Sequence, residues 1–289
     1  MNISVVIPTH ARGGQILSAV ESVIVAAPID VEIIVVEDRT TQASGVLSDY
    51  IKSGRVKYYH KSASPHGAAA TRNFGVKQAS HRHVLFLDDD DVFNPEYVAL
   101  LSSLLKSSKA RWGFCNQEIN GRIKKSRSNG SKLLTSGRFK DRIAAASAGF
   151  WIEKKLFLEV EGFDVDQLVD EDTDLCCRLL GEFIYPYYID YPGVRLSRGD
   201  GIDRLTTTID YAKTAKCYKR TLDKNIERLR DNRDAYEYLV DRAHRVACKS
   251  RDLSLVNNMR ICGDRFGIRL IWWLREMKYL SFLGKLLFK

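Results

Sequence analysis

The sequence predicts an α/β fold: a mixed, mostly parallel, doubly wound sheet flanked by helices, with a helical extension at its C-terminal end. Three observations lead there. Short runs of β-branched and aromatic residues alternate with helix-like segments through the first half of the chain. Three of the first four runs end in polar or special residues, where sheets of this class bind ligands. Beyond residue 208 the alternation stops, and the chain becomes charge-rich and free of proline.

The first strand is predicted at residues 3–7 of "MNISVVIPTH", ending in Pro8, Thr9 and His10. A helix at 15–26 follows, then a strand at 31–36 that runs into Glu37 and Asp38. Residues 45–51 read as a helix and 56–59 as a third strand. Next comes "HGAAATRNFGVKQA", predicted as a helix over 68–79 with Arg72 and Asn73 on its first turns; Gly67 before it permits close backbone approach. The fourth strand, 84–87, meets four consecutive carboxylates, Asp88 to Asp91. From 116 to 142 a Gly- and Ser-containing segment with eight basic residues reads as a hairpin and mobile loop. Further on, "DEDTDLCCRLL" has the spacing of a helix. These readings give an α/β domain at 1–208 and a basic helical region at 209–289.

At 289 residues and 45% hydrophobic content, the chain is long enough for one large domain plus an accessory part, and it is not a disordered chain. The formal charge of +9 is concentrated: residues 209–289 hold 19 Lys+Arg against 10 Asp+Glu, which accounts for all of it. A basic surface there suits an anionic partner, a membrane in preference to nucleic acid, for which no binding motif is present. The tail "GIRLIWWLREMKYLSFLGKLLFK" mixes aromatic and basic residues and is too interrupted to span a bilayer. It is expected either to pack on the protein or to lie on anionic lipid through residues 268–289. Six cysteines without C-x-x-C or zinc spacing, and no leader-like opening, point to a reducing, cytoplasmic setting; a tail lying on lipid would then place the chain at the cytoplasmic face of a membrane.

Four acidic or basic constellations carry the chemistry. A run of like charges is ordinarily a solvated loop, but Asp88–Asp91 ends an apolar strand, and gathered carboxylates raise one another's pKa unless a cation neutralises them. A hard divalent ion, Mg²⁺ or Mn²⁺, meets that need, with Asp88 and Asp90 on one metal–phosphate assembly and Asp91 capping the next helix near Pro95. The same residues, "VLFLDDDDV", also fit the hhhh-D-x-D-x-V pattern of aspartyl-phosphate phosphatases, with Asp88 as nucleophile and Asp90 as acid/base. Glu37-Asp38 reads either as a helix cap or as a nucleobase contact. Arg72 reads as an ion-pair partner, a diphosphate ligand or a group that orients a carboxylate. Glu171-Asp172 reads as helix N-terminal acids or as a proton acceptor across a cleft from a metal.

Taken together, "ISVVIPTH", "EIIVVEDRT", "GAAATRNFGV", "FLDDDD" and "EGFDVDQLVDEDTDLCCRL" resemble, in order and spacing, the inverting glycosyltransferases of family 2, which have the GT-A fold. The resemblance covers about residues 3 to 200. It implies a nucleotide diphosphate sugar, a UDP-sugar foremost, as donor and a glycan or lipid-linked glycan as acceptor in bacterial surface polysaccharide synthesis. It also implies Pro8, Thr9, Glu37, Asp38, Arg72, Asp88 and Asp89 around the nucleotide sugar and Asp90 with Asp88 on Mn²⁺ or Mg²⁺. Asp172 is implied as the base, with Glu171 orienting it or the acceptor. A non-catalytic scaffold on the same fold would be expected to lose the metal or base carboxylates, and both are present. Two departures stand out. Glu37-Asp38-Arg39-Thr40 replaces the usual Asp-Asp-Gly-Ser, so the base contact falls on Glu37 or Asp38; and "VRLSRGDGID" lacks the usual histidine, leaving Arg198 or Asp200 for that place by the diphosphate or metal.

Overall fold

The computed structural model describes residues 3–26, 31–124, 129–145, 149–196, 209–229, 232–263, 272 and 279. It forms two compact units. The first holds most of residues 1–201, and the second holds residues 202–289 together with the short segments 138–140 and 167–170.

The first unit begins β1 (Ile3–Thr9), α1 (Gly13–Ala26), β2 (Glu32–Asp38), α2 (Gln42–Val46), α3 (Ser48–Lys52), β3 (Val56–Lys61), α4 (Ala68–Gln78) and β4 (His83–Phe86). It continues β5 (Asp91–Phe93), α5 (Tyr97–Ser107), β6 (Trp112–Ile119), β7 (Arg122–Lys124), β8 (Lys132–Leu133), β9 (Trp151–Glu153), α6 (Lys154–Glu159), α7 (Glu171–Gly181) and β10 (Tyr187–Leu196). The strands join one sheet in the order β3-β2-β1-β4-β9-β6-β10-β5, with β7 on β6 and β8 on β10. Strand length separates the two directions. The six longer strands β1, β2, β3, β4, β6 and β10 all point the same way, whereas β5, β7, β8 and β9, of two or three residues each, run against them.

Burial explains the parallel half. All seven residues of β1 are buried, as are six of the seven in β2, which is the continuous apolar pattern of strands covered on both faces. The core cluster joins Val5, Ile7, Val35 and Leu85 of these strands to Ile16, Val20 and Val23 of α1. Fully burying a side chain of this size stabilises the fold by about 1.5–3 kcal/mol. The sequence places β1 to β4, α1 and α4 within two residues of these bounds. The helix expected at 45–51 is instead two one-turn helices meeting at Leu47, whose buried side chain joins the core. The expected hairpin is β6–β7, and Asn120-Gly121 at φ 50° and 73° supply the two left-handed residues that such a two-residue turn uses.

Because the chain runs β1, β2, β3 in one direction and then returns to place β4 on the other side of β1, the ends of β1 and β4 flank the point where strand order reverses. Loops diverge there and leave a crevice. Thr9, Asp38 and Asp88 all follow or end strands on that edge.

The second unit contains α8 (Tyr211–Asn225), α9 (Arg233–Ser250) and α10 (Leu253–Gly263). Asp210 and Asn232 cap α8 and α9 by accepting from Lys213 N and Ala235 N. Trp272 is buried with its ring stacked on His244 at 3.9 Å between centroids, and its Nε1 donates to Asp241 at 3.2 Å. Among the described residues no helix is long and apolar enough to cross a membrane.

Candidate active site

The four carboxylates are not in a strand. β4 ends at Phe86, Leu87 N–H still donates to Val6 O, and the chain then folds into a tight turn closed by Asp91 N–H donating to Asp88 O at 3.1 Å. That turn brings Asp88, Asp90 and Asp91 together, with one carboxylate oxygen from each within 4.8 Å of the others. Asp91 is therefore not a helix cap. It is buried as the first residue of β5, opposite Leu196, while α5 starts only at Tyr97, after Glu96. The sequence reading failed here because four identical residues give no hint of where a turn returns.

Two arginines hold the cluster. Arg72, buried on α4, donates through Nη2 to Asp88 at 2.6 Å and through Nη1 to Glu171 at 2.9 Å, and so ties the acidic turn to the start of α7. Its Nε–H is buried with no hydrogen-bond partner among the described residues. Burial opposes the charge on Arg72, but Asp88 and Glu171 outweigh it and its pKa is raised. Arg12, which no motif singled out, donates to Asp89 at 3.0 Å and lies 3.0 Å from Asp90. Thr9 Oγ1 donates to Asp89 at 2.6 Å, bridging the ends of β1 and β4.

These partners do not fully offset the negative charge. Burial pushes the Asp89 carboxyl up to about 6, with Asp88 and Asp90 adding to the rise against Thr9 and Arg12. Burial likewise pushes Glu171 up to about 7, reinforced by Asp172 and opposed by Arg72. A crowded set of hard oxygen donors with surplus negative charge fits a divalent cation.

The β2 end is different. Glu37 is buried and accepts from Gln42 N at 2.8 Å, Ala43 N at 2.9 Å, Thr40 Oγ1 at 2.6 Å and Tyr58 Oη at 2.9 Å, so it fastens the start of α2. Asp38 accepts from Gly67 N at 2.9 Å and Lys61 at 3.2 Å and pairs with His66 at 2.8 Å. Burial favours its neutral form, yet these partners outweigh burial and its pKa is lowered. A Cβ on Gly67 would meet open space; the residue is glycine because its φ is +101°.

Asp172 lies in the first turn of α7, beside Glu171, and its Oδ1 accepts from Thr173 N at 2.7 Å. Asn73, read from the same segment as Arg72, is structural: its amide clamps Phe163 by donating to the carbonyl and accepting from the N–H, at 2.8 and 3.0 Å. Pro8 sits in β1 opposite Val36. Arg198 and Asp200 lie outside the described residues, as do Lys125 and Arg127 of the basic segment.

The profile of glycosyl transferase family 2 matches residues 4–157, more than half of the chain and all of the strands that build this edge through β9. The chain belongs to glycosyl transferase family 2. Its acidic turn lies inside the matched stretch, so the aspartyl-phosphate pattern is a coincidence of four adjacent carboxylates. Among curated relatives, an uncharacterized glycosyltransferase of Rickettsia felis is 33% identical over 99 residues, 34% of this chain but only 16% of that protein. The GalNAc(5)-diNAcBac-PP-undecaprenol beta-1,3-glucosyltransferase of Campylobacter jejuni is 29% identical over 206 residues, 69% of this chain and 66% of that one. Among solved structures, S. aureus TarS 1-349 in complex with UDP-GlcNAc superposes with a TM-score of 0.67 at 15% identity, covering 97% of this chain and 80% of that one. The mannosyltransferase PcManGT of Pyrobaculum calidifontis, in complex with GDP-Man and Mn²⁺, gives 0.59 at 14% identity, covering 97% and 85%. At such identities the likeness concerns the fold, and that fold is the expected GT-A.

Proposed function

We propose that this family 2 protein is an inverting glycosyltransferase that moves a sugar from a UDP-sugar to a hydroxyl of a glycan or lipid-linked glycan in bacterial surface polysaccharide synthesis. The observation that carries the reading is the Asp88–Arg72–Glu171 chain of contacts, which joins an acidic turn suited to a cation and diphosphate to the helix that bears Asp172. The curated Campylobacter relative, named for a polyprenyl-diphosphate-linked acceptor, supports the acceptor class.

In this reading Asp90 and Asp88, with Asp91 beside them, would hold Mn²⁺ or Mg²⁺, which when bound would supply charge neutralisation for a departing diphosphate. Asp38 and Glu37 differ in what they offer a nucleobase. Glu37 is spent on three donors at the start of α2 and on Tyr58, whereas two of the partners of Asp38, His66 and Arg39, are partly exposed, so the contact falls to the Asp38 side, with Pro8 and Thr9 lining the pocket. Asp172 takes the proton of the acceptor hydroxyl as that oxygen attacks the anomeric carbon in line. The bond from that carbon to the diphosphate oxygen breaks, the nucleoside diphosphate leaves, and the single displacement inverts the centre. Arg72 keeps Glu171, and through it the start of α7, in register with the acidic turn. Peripheral attachment to an anionic membrane through residues 268–289 belongs to the same proposal. With Trp272 turned inward, that attachment falls to the other aromatic and basic residues of the tail.

The test is turnover and binding across UDP-, GDP-, dTDP- and CMP-sugars with Mn²⁺, Mg²⁺ or EDTA, for wild type and Asp90→Ala. Metal-dependent turnover of one nucleotide sugar, lost in the variant, is expected; absence of nucleotide binding under every condition would sink the proposal. Asp172→Asn is expected to lower transfer by at least about a hundredfold while donor affinity holds. Loss of both would count against Asp172 as the base.

A further inference from the structure

The β4 end carries a cation that the motifs do not account for. Arg12 closes the loop after β1, and β2-end residues fix that loop: the His10 ring bonds to Asp38 O at 2.7 Å, and Ala11 N–H donates to Thr40 Oγ1 at 3.1 Å. Ala11 itself takes the left-handed conformation at φ 55°, uncommon for a residue with a Cβ. The loop is thus held in one shape that sends the Arg12 side chain toward the acidic turn. There its Nη1 lies 3.0 Å from Asp89 Oδ1 and 3.0 Å from Asp90 Oδ2.

Burial is unequal across these pairs. The Arg12 side chain is 28% exposed, whereas those of Asp89 and Asp90 are 7% and 9% exposed. The acids are buried and the arginine is partly open to water. A guanidinium keeps its charge at any working pH and suits paired anionic oxygens, whether carboxylate or phosphate. It occupies Asp90, the carboxylate assigned above to the divalent cation. One carboxylate facing two cations must be shared or surrendered, and the diphosphate that accompanies the metal is the nearest new anion.

We propose that Arg12 is a resident counter-ion of the acidic turn, which yields Asp90 to the divalent cation and then binds the donor's diphosphate. Metal and nucleotide binding are thereby linked through one side chain. This inference rests on the glycosyltransferase reading and adds to it a residue that sets the order of binding. Linkage of this kind is reciprocal, so each ligand favours the other.

The experiment measures Mn²⁺ affinity without nucleotide, by electron paramagnetic resonance, and UDP affinity at saturating Mn²⁺, by calorimetry, in wild type, Arg12→Met, Arg12→Lys and Asp90→Ala. In Arg12→Met, Mn²⁺ is expected to bind roughly fivefold tighter, the scale of a partly exposed ion pair removed. UDP is expected to bind about tenfold weaker, the scale of one charge-assisted hydrogen bond lost. Arg12→Lys, which keeps the charge but not the fork, should fall between wild type and Arg12→Met in both. Opposite signs for the two ligands support the proposal, because a merely damaged site would weaken both. If wild type binds Mn²⁺ through Asp90 but Arg12→Met leaves that affinity unchanged or lower, the counter-ion role is overturned while the metal site stands. If neither wild type nor Arg12→Met binds Mn²⁺, both readings fail.

Discussion

Two acidic strand ends lie one strand apart in this sheet, and they are built in opposite ways. At the end of β2, Glu37 and Asp38 are met by backbone N–H groups, a lysine, a histidine and hydroxyls. At the end of β4, Asp88, Asp89 and Asp90 are met by two arginines and one threonine, and Asp89 is pushed up to about 6 by burial and its neighbours. Donors that belong to the fold make Glu37 a fastener and hold its neighbour Asp38 in the place proposed for the nucleobase. At the β4 end the partly exposed Arg12 and the crowd of like charges leave an acid able to exchange partners, which is what a site that takes up a cation and an anion requires.

The contrast can be broken most sharply at Glu37. Glu37→Gln replaces an acceptor of four hydrogen bonds with a side chain that must turn a donor toward some of the same N–H groups, and about 3 kcal/mol of stability should be lost. Asp90→Ala should cost far less, because it also relieves repulsion; thermal melting of the two variants side by side decides. An equal loss in both would erase the distinction between fastener and site.

The pH dependence sharpens it next. Glu171, coupled to the β4 end through Arg72, has its pKa raised from 4.5 to about 7, so the folded state holds a proton that the unfolded chain releases. Its contribution to stability is complete below about 4.5 and is lost as pH climbs through about 7, with a slope of at most about 1.4 kcal/mol per pH unit. Asp38, with its pKa lowered from 3.8, acts in reverse: its contribution is present above 3.8 and is lost as pH falls below it. Glu171→Gln should flatten the upper window and Asp38→Asn the lower one, as read by denaturant melts across pH. The smallest effect is expected at Arg39, half exposed and 3.7 Å from Asp38. Arg39→Ala should change stability by less than about 0.5 kcal/mol, since Asp38 keeps its buried partners.

Much of this is legible in the sequence. The strands β1 to β4 follow from runs of Ile and Val, and α7 from the spacing of Asp174 and Arg178, which pair at 2.8 Å across one helical turn. What could not be read are pairings between residues far apart in the chain. Arg12 meets Asp89 across 77 positions and Arg72 meets Glu171 across 99, and no local period encodes such a contact. Glu37 and Asp38, adjacent and both acidic, likewise show their different duties only once α2 and the loop before α4 are folded against them. Asn73 carries a motif signal as strong as that of Arg72, yet its amide is spent on Phe163.

The placement of β9 has a consequence for biosynthesis. This three-residue strand lies between β4 and β6, although it follows both in the chain. While the protein is being made, β1 to β4 can pair as soon as they emerge, but the edge of β4 stays open until residues 151–153 clear the ribosome. Only then can β6 and β10 join the same sheet. A nascent chain arrested short of that point carries a half-sheet with a bare edge, the kind of surface that recruits strands from other chains. The family match ends at residue 157, just after the strand that seals the seam.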